Sequence, residues 1–213
     1  MSATPIPEPR AGPVDPDVAA EFPGLRLRHV TVTVAAGRRS SPPALVGRLR
    51  ELANRYRGAG VVSMRTRPVP HAFRAFFRQI GLDPDVRRIP SEEVAVTRLL
   101  HGGFRSVDLI SDACLVALIE TGVPVWALDA DLVDETGPGI RIAAPGEPLS
   151  PGSLVVADGR EVHAELFSEP AAGHGVGPRT RRVMLYAVAV DGVPEVHLEE
   201  ALWCVLDLLG SGG

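Results

Sequence analysis

Residues 107–131, VDLISDACLVALIETGVPVWALDAD, decide how the chain is read. Residues 107–121 are strongly apolar, with Asp112 the polar exception, and this predicts a helix. From 122 to 128 the pattern turns to strand. Most of the helices lie on the N-terminal side of this point and most of the strands on the C-terminal side.

Upstream, Pro90-Ser91-Glu92-Glu93 reads as a helix start, with Ser91 as N-cap and acids in the first turn. That helix runs to about His101 and stops at Gly102-Gly103. Before it, residues 69–80 set Phe73, Phe76, Phe77 and Ile80 at the 3, 4, 7 spacing of a buried stripe, with Gly81 as terminator. This phenylalanine cluster is read as core. Ser41-Pro42-Pro43 opens a further helix to about residue 57, with Leu45, Leu49, Leu52 and Ala53 on one face and Gly58-Ala59-Gly60 as the stop. Residues 25–35 alternate as a strand does. Residues 1–23, rich in Pro, Ala and acids, are read as a loose arm.

Downstream, 140–143, 154–157 and 183–190 are short apolar runs punctuated by Gly, Pro and Asp, read as antiparallel strands. Residues 170–182 hold Gly173, Gly175, Gly177 and Pro178 and are read as a flexible loop. Residues 195–209 form an amphipathic helix with Leu198, Leu202, Val205, Leu206 and Leu209 facing inward. The expected fold is α+β: an antiparallel β-sheet core flanked by helices, mainly in the N-terminal half, and closed by a C-terminal amphipathic helix. A single domain is expected over 24–210.

Apolar residues make up 45% of the 213 and charged residues 23%, enough for a real core. No apolar run approaches the ~18–20 residues that span a bilayer, and the N-terminus carries no signal-peptide core, so a cytoplasmic protein with no membrane partner is expected. Cys114 and Cys204 sit in apolar surroundings and are read as buried free thiols. Net charge is −4, against a general nucleic-acid binder, yet it is unevenly spread. Residues 26–105 carry 16 Arg and five acids; residues 106–213 carry 5 Arg and 17 acids. Such asymmetry marks either a polyanion-facing side or two halves that interleave and pair their charges.

Nucleotide-phosphate loops are absent: there is no G-x-x-x-x-G-K-S/T, and Gly173-His174-Gly175-Val176-Gly177 is not followed by a helix. No G-x-S-x-G elbow appears. The six histidines show no H-x-x-x-H pair, so no metal or cofactor is expected.

Several segments, in order, carry a family resemblance: PHAFRAFFRQIGLDPD, RRIPSEEVAVTRLLHGG, the opening stretch, IRIAAPGEPL, GSLVVADGREVHA and TRRVMLYAVAV. Together they resemble stand-alone relatives of the aminoacyl-tRNA editing module of the phenylalanyl-tRNA synthetase β subunit. The resemblance covers about residues 25–190. It implies an amino-acid pocket, tRNA as partner, and hydrolysis of the ester between a mischarged amino acid and the terminal adenosine. Three family positions are altered here. The Asn of Asp-x-x-Asn is Leu115, a pocket His is Trp126, and the Glu that reads a tyrosine hydroxyl is Tyr186. Without a paired acceptor the preference for tyrosine is expected to be lost.

The resemblance nominates Thr180 and His174 as catalytic, and Trp126, Tyr186, Asp112, Glu147, Glu92 and Arg74 as substrate-binding. Each has a plainer reading. Trp126 is a pocket wall or a core aromatic. Asp112 faces the site or pairs with an arginine such as Arg88. Glu92 and Arg74 contact substrate or form a helix–helix salt bridge. Thr180 orients water or the acyl carbonyl, or begins a strand. His174 contributes to the site or is a solvated loop residue, and Glu147 sits in a turn with a polar contact. His163 is read as a surface residue.

Overall fold

The structure, a computed structural model, describes residues 7–35, 39–55, 66–147, 149 and 152–210. The Gly58-Ala59-Gly60 stop, and the end of its helix beyond Arg55, lie outside the described residues.

Two antiparallel sheets and, among the described residues, six α-helices make the α+β fold expected from the sequence. The first sheet has the order β1 (Arg10–Gly12), β2 (Arg26–Thr33), β7 (Arg182–Ala189), β3 (Val125–Asp129). The second contains β4 (Gly139–Ile142), β5 (Leu154–Ala157) and β6 (Val162–Glu165). β7 is paired on both edges, with Tyr186 opposite His29 of β2 and Trp126 of β3. Its residues 183–189 are all buried, so the strand reads as a near-continuous apolar run instead of an alternation.

The helices are α1 (Pro16–Glu21), α2 (Pro43–Arg55), α3 (Pro68–Gln79), α4 (Pro90–His101), α5 (Leu109–Thr121) and α6 (Glu195–Gly210). α6 packs on α5, β7 and β2. Leu198, Leu202, Val205 and Leu206 are buried as their spacing requires; Leu209 is only partly buried. Leu45, Leu49 and Leu52 of α2 form a separate cluster with Leu109, Val116 and Ile119 of α5. α5 therefore buries apolar side chains on both flanks, and this is why it carries no amphipathic pattern. Asp108 caps it by accepting the Ser111 N–H at 2.9 Å, and Gly122 ends it at φ 78, a left-handed conformation that glycine adopts without a Cβ penalty.

Three local expectations are corrected. Residues 10–22, read as part of a loose arm, form β1 and α1, and Val18 is 1% exposed in the main core. Asp15 caps α1 through the N–H groups of Asp17 and Val18. Ser91 is not the N-cap of α4; Ile89 holds that position, Pro90 opens the helix, and the Ser91 hydroxyl makes no hydrogen bond. The glycine-rich segment read as a flexible loop is bonded at two points. Asp129 N–H donates to the His174 carbonyl at 2.9 Å, and Ala171 N–H donates to the His163 carbonyl at 2.7 Å. That loop thereby ties β3 of one sheet to β6 of the other.

Because Val18 sits in the core, Val18→Ala is expected to cost about 2 kcal/mol from lost apolar contact. Urea unfolding followed by circular dichroism would show a lower midpoint at unchanged slope; an unchanged midpoint would place residues 10–22 outside the cooperative unit.

Candidate functional site

A cleft of about 460 Å3 opens beside the joint between α5 and β3. Trp126 and Val125 of β3, Cys114 and Leu118 of α5, and Phe167 and Val176 of the later loop form its apolar walls. Its charged groups are Arg88, Glu93, Asp108 and Glu169, three carboxylates to one guanidinium. Arg88 reaches Glu93 at 3.4 Å, so its charge is already partly matched. Burial pushes the Cys114 thiol up to about 12, which keeps it protonated and makes it a wall atom, not a nucleophile.

Trp126 is both pocket wall and core: it is 7% exposed, lines the cleft, and stacks on Tyr186 with ring centroids 5.5 Å apart and planes 19° apart. Tyr186 lies behind it, fully buried and not in the cleft lining. Burial pushes its phenol well above the usual range, so it stays neutral. Trp126 and Tyr186 are thus direct cross-strand partners.

The remaining nominated residues sit away from the lining. Asp112 is 1% exposed and accepts from the Ser41 and Ser106 hydroxyls and, at 3.0 Å, from the Val107 N–H. The arginine partner expected for it, Arg88, bonds to Glu93 instead. Arg74 and Glu92 form the buried helix–helix salt bridge, with both carboxylate oxygens 2.9 Å from Nη1, and Arg74 also reaches Asp85 at 2.8 Å. Glu147 turns back onto Arg141 and the Ala144 N–H, and the Arg141 guanidinium holds its carboxyl down at about 2. Thr180 donates to Asp129 Oδ2 at 2.5 Å and accepts the Gly177 N–H at 3.0 Å, locking the loop to β3. It precedes β7 in a turn and does not begin the strand.

His174 sits on that loop, next to Gly175 and Val176 of the cleft wall. Its Nδ1 lies 3.0 Å from Nδ1 of His163. His163, read as a surface residue, is 0% exposed: β6 carries it inward between the loop and Asp158. With Glu161 the two histidines form a group whose ligand atoms suit a cation, although their spacing shows no metal pair. Phe167 was also missed. Its φ of 61 is a strained backbone value for a bulky residue, and its ring stands between Phe73, Phe76 and Phe77 on one side and Trp126 on the other. No sequence signal marks a phenylalanine for that conformation.

No family model matches the sequence. The chain is similar, at 31% identity over 118 residues, to the phenylalanine–tRNA ligase beta subunit of Gloeobacter violaceus, covering 47% of this chain and 15% of that subunit. It is 26% identical over 132 residues to the phenylalanine–tRNA ligase beta subunit of Hahella chejuensis, covering 57% of this chain and 15% of the subunit. The chain therefore spans about 15% of the length of the curated relatives it matches, and it resembles part of such a subunit. Among the described residues, no helix is long and apolar enough to cross a membrane.

Two substitutions separate scaffold from site. Arg74→Ala breaks the buried ion pair with Glu92 and is expected to cost about 3–5 kcal/mol, whereas Arg182→Ala, which breaks a pair more than half exposed, costs below about 1 kcal/mol. Chemical denaturation of both variants checks the contrast. Thr180→Val removes two hydrogen bonds and is expected to destabilise by about 1–3 kcal/mol, while Thr180→Ser keeps both and stays near wild type. Equal melting of all three proteins would remove Thr180 from the scaffold and leave it to a substrate role.

Proposed function

We propose that the cleft beside Trp126 receives an aminoacyl group and that the chain hydrolyses, in trans, the ester linking it to the terminal adenosine of a mischarged tRNA. The observation carrying this reading is the similarity to phenylalanine–tRNA ligase beta subunits, coupled to a cleft with one aromatic wall and a carboxylate-rich edge. An aminoacyl ester is activated, so a held water and a polarised carbonyl suffice, and no nucleophilic triad is needed. The carboxylates suit the α-ammonium; the walls of Trp126, Phe167, Leu118 and Val125 suit an apolar side chain. Tyrosine is not the preferred residue, because the position that would read its hydroxyl is Tyr186, sealed behind Trp126.

One observation favours a second reading, in which the chain acts on a small amino-acid conjugate without tRNA. Three carboxylates against one arginine at the cleft repel phosphate, and Arg28, Arg48 and Arg87 are paired with Glu195, Glu120 and Glu165. A panel of mischarged tRNAs, run beside the matching aminoacyl-adenosines, separates the two. Release of an apolar amino acid from tRNA above background is expected, and Trp126→Ala should slow it at least tenfold, a loss of about 1.4 kcal/mol. Turnover of the small esters alone selects the second reading. Binding of tRNA without turnover of either would overturn both and leave a non-catalytic RNA-binding module, whose affinity falls steeply with salt.

A further inference from the structure

We propose that Glu161, His163 and His174 form a binding site for a zinc-class divalent cation, which fastens the glycine-rich loop of the cleft wall onto β6. Each of the three offers one ligand atom, and these atoms all lie within 4.8 Å of one another. The proposal is independent of the aminoacyl reading.

The two imidazoles are the firmest part of the site. Their Nδ1 atoms face each other at 3.0 Å with ring centroids 5.1 Å apart. For the rings to bond to each other, one nitrogen must donate and the other accept. A cation takes both lone pairs instead. Two nitrogens each ~2.05 Å from a tetrahedral zinc stand about 3.3 Å apart, so the observed spacing needs to open by only a few tenths of an ångström.

His163 is already oriented for this. Its Nε2 lies 3.0 Å from Asp158 Oδ2, although without the alignment of a hydrogen bond. A carboxylate beside Nε2 turns Nδ1 toward His174, and a small rotation of the ring would give the hydrogen bond by which carboxylates orient metal-bound histidines. Asp158 is itself fixed, accepting from the backbone N–H groups of Asp134, Arg160 and Glu161 at 2.8–2.9 Å.

Glu161 supplies the third ligand from the β5–β6 turn, two residues before His163. Its side chain is about half exposed and lies 3.9 Å from His174 Nε2, so it is free to swing onto the cation. Two imidazoles and one carboxylate suit zinc, cobalt or nickel and discriminate against calcium and magnesium, which take oxygen ligands. The fourth position is left to water. His174 is the residue whose carbonyl accepts the Asp129 N–H, and Gly175 and Val176 beside it line the cleft. A cation here stiffens that wall.

The test uses the full chain, stripped with a chelator and titrated with zinc against a chromophoric competitor, then with cobalt by absorption spectroscopy. Expected are about one zinc per chain with Kd at or below about 1 µM, a cobalt spectrum of nitrogen and oxygen ligation without sulfur-to-metal charge transfer, and a zinc-dependent rise in melting temperature. His174 lies on the loop with 18% of its side chain exposed, so His174→Gln is expected to fold, as circular dichroism would confirm. It should lose at least a hundredfold in zinc affinity and all of the thermal shift. Glu161→Gln should lose tenfold or more. Failure of the wild-type chain to bind zinc, a thiolate cobalt spectrum, or wild-type affinity in folded His174→Gln would each overturn the proposal. No substrate is involved, so such a failure leaves the aminoacyl reading standing.

Discussion

β7 has no solvent side. β2 and β3 occupy its two edges, and residues 183–189 are buried on both faces. A strand in that position fixes its neighbours, because slipping either partner by one residue would turn that partner's buried side chains to its other face. The register places Trp126 and His29 on either side of Tyr186, and the chain entering β7 brings Thr180 to Asp129. The cleft wall is thus set by sheet pairing before any cleft residue contributes.

The sequence was most readable where one periodicity persisted. α3 and α6 lie close to their expected places because each repeats apolar residues along one face, α5 because its whole span is apolar, and α4 because Pro90 and Gly102-Gly103 mark its ends. It was least readable where structure depends on a distant partner. β1 is three residues long in a proline-rich segment and exists because β2 offers it an edge. Ser91 carries the chemistry of an N-cap, but Pro90 takes the first helical position and moves it into the turn. His163 is a polar residue in a short strand and reads as a surface one; the loop that returns over β6 buries it. Asp112 finds its partners at Ser41 and Ser106, one of them 71 residues away, and no local pattern announces that. Among the nominated site residues, those away from the cleft lining carry buried or multiply bonded polar groups.

The charge asymmetry has a structural answer. Arg28 meets Glu195, Arg48 meets Glu120 and Arg87 meets Glu165, each an arginine of the first half on an acid of the second. Those three arginines are matched across the two halves and do not add to a polyanion-facing side. In the cleft, carboxylates predominate.

The Trp126–Tyr186 stack bears on the character of that cleft. The two side chains are directly opposed across β3 and β7. A polar group buried at either position would need a matched partner at the other, at a cost of several kcal/mol if left unmatched. Two facing rings carry no such cost and add a stacked contact. Trp126, backed by Tyr186, therefore gives the cleft a firm apolar wall. A wall of that kind selects by shape and apolar area, which separates side chains differing by a methylene only about 10–200-fold. Sharp discrimination in this cleft then rests on the carboxylates at its edge and on how firmly the Gly175–Val176 segment is held.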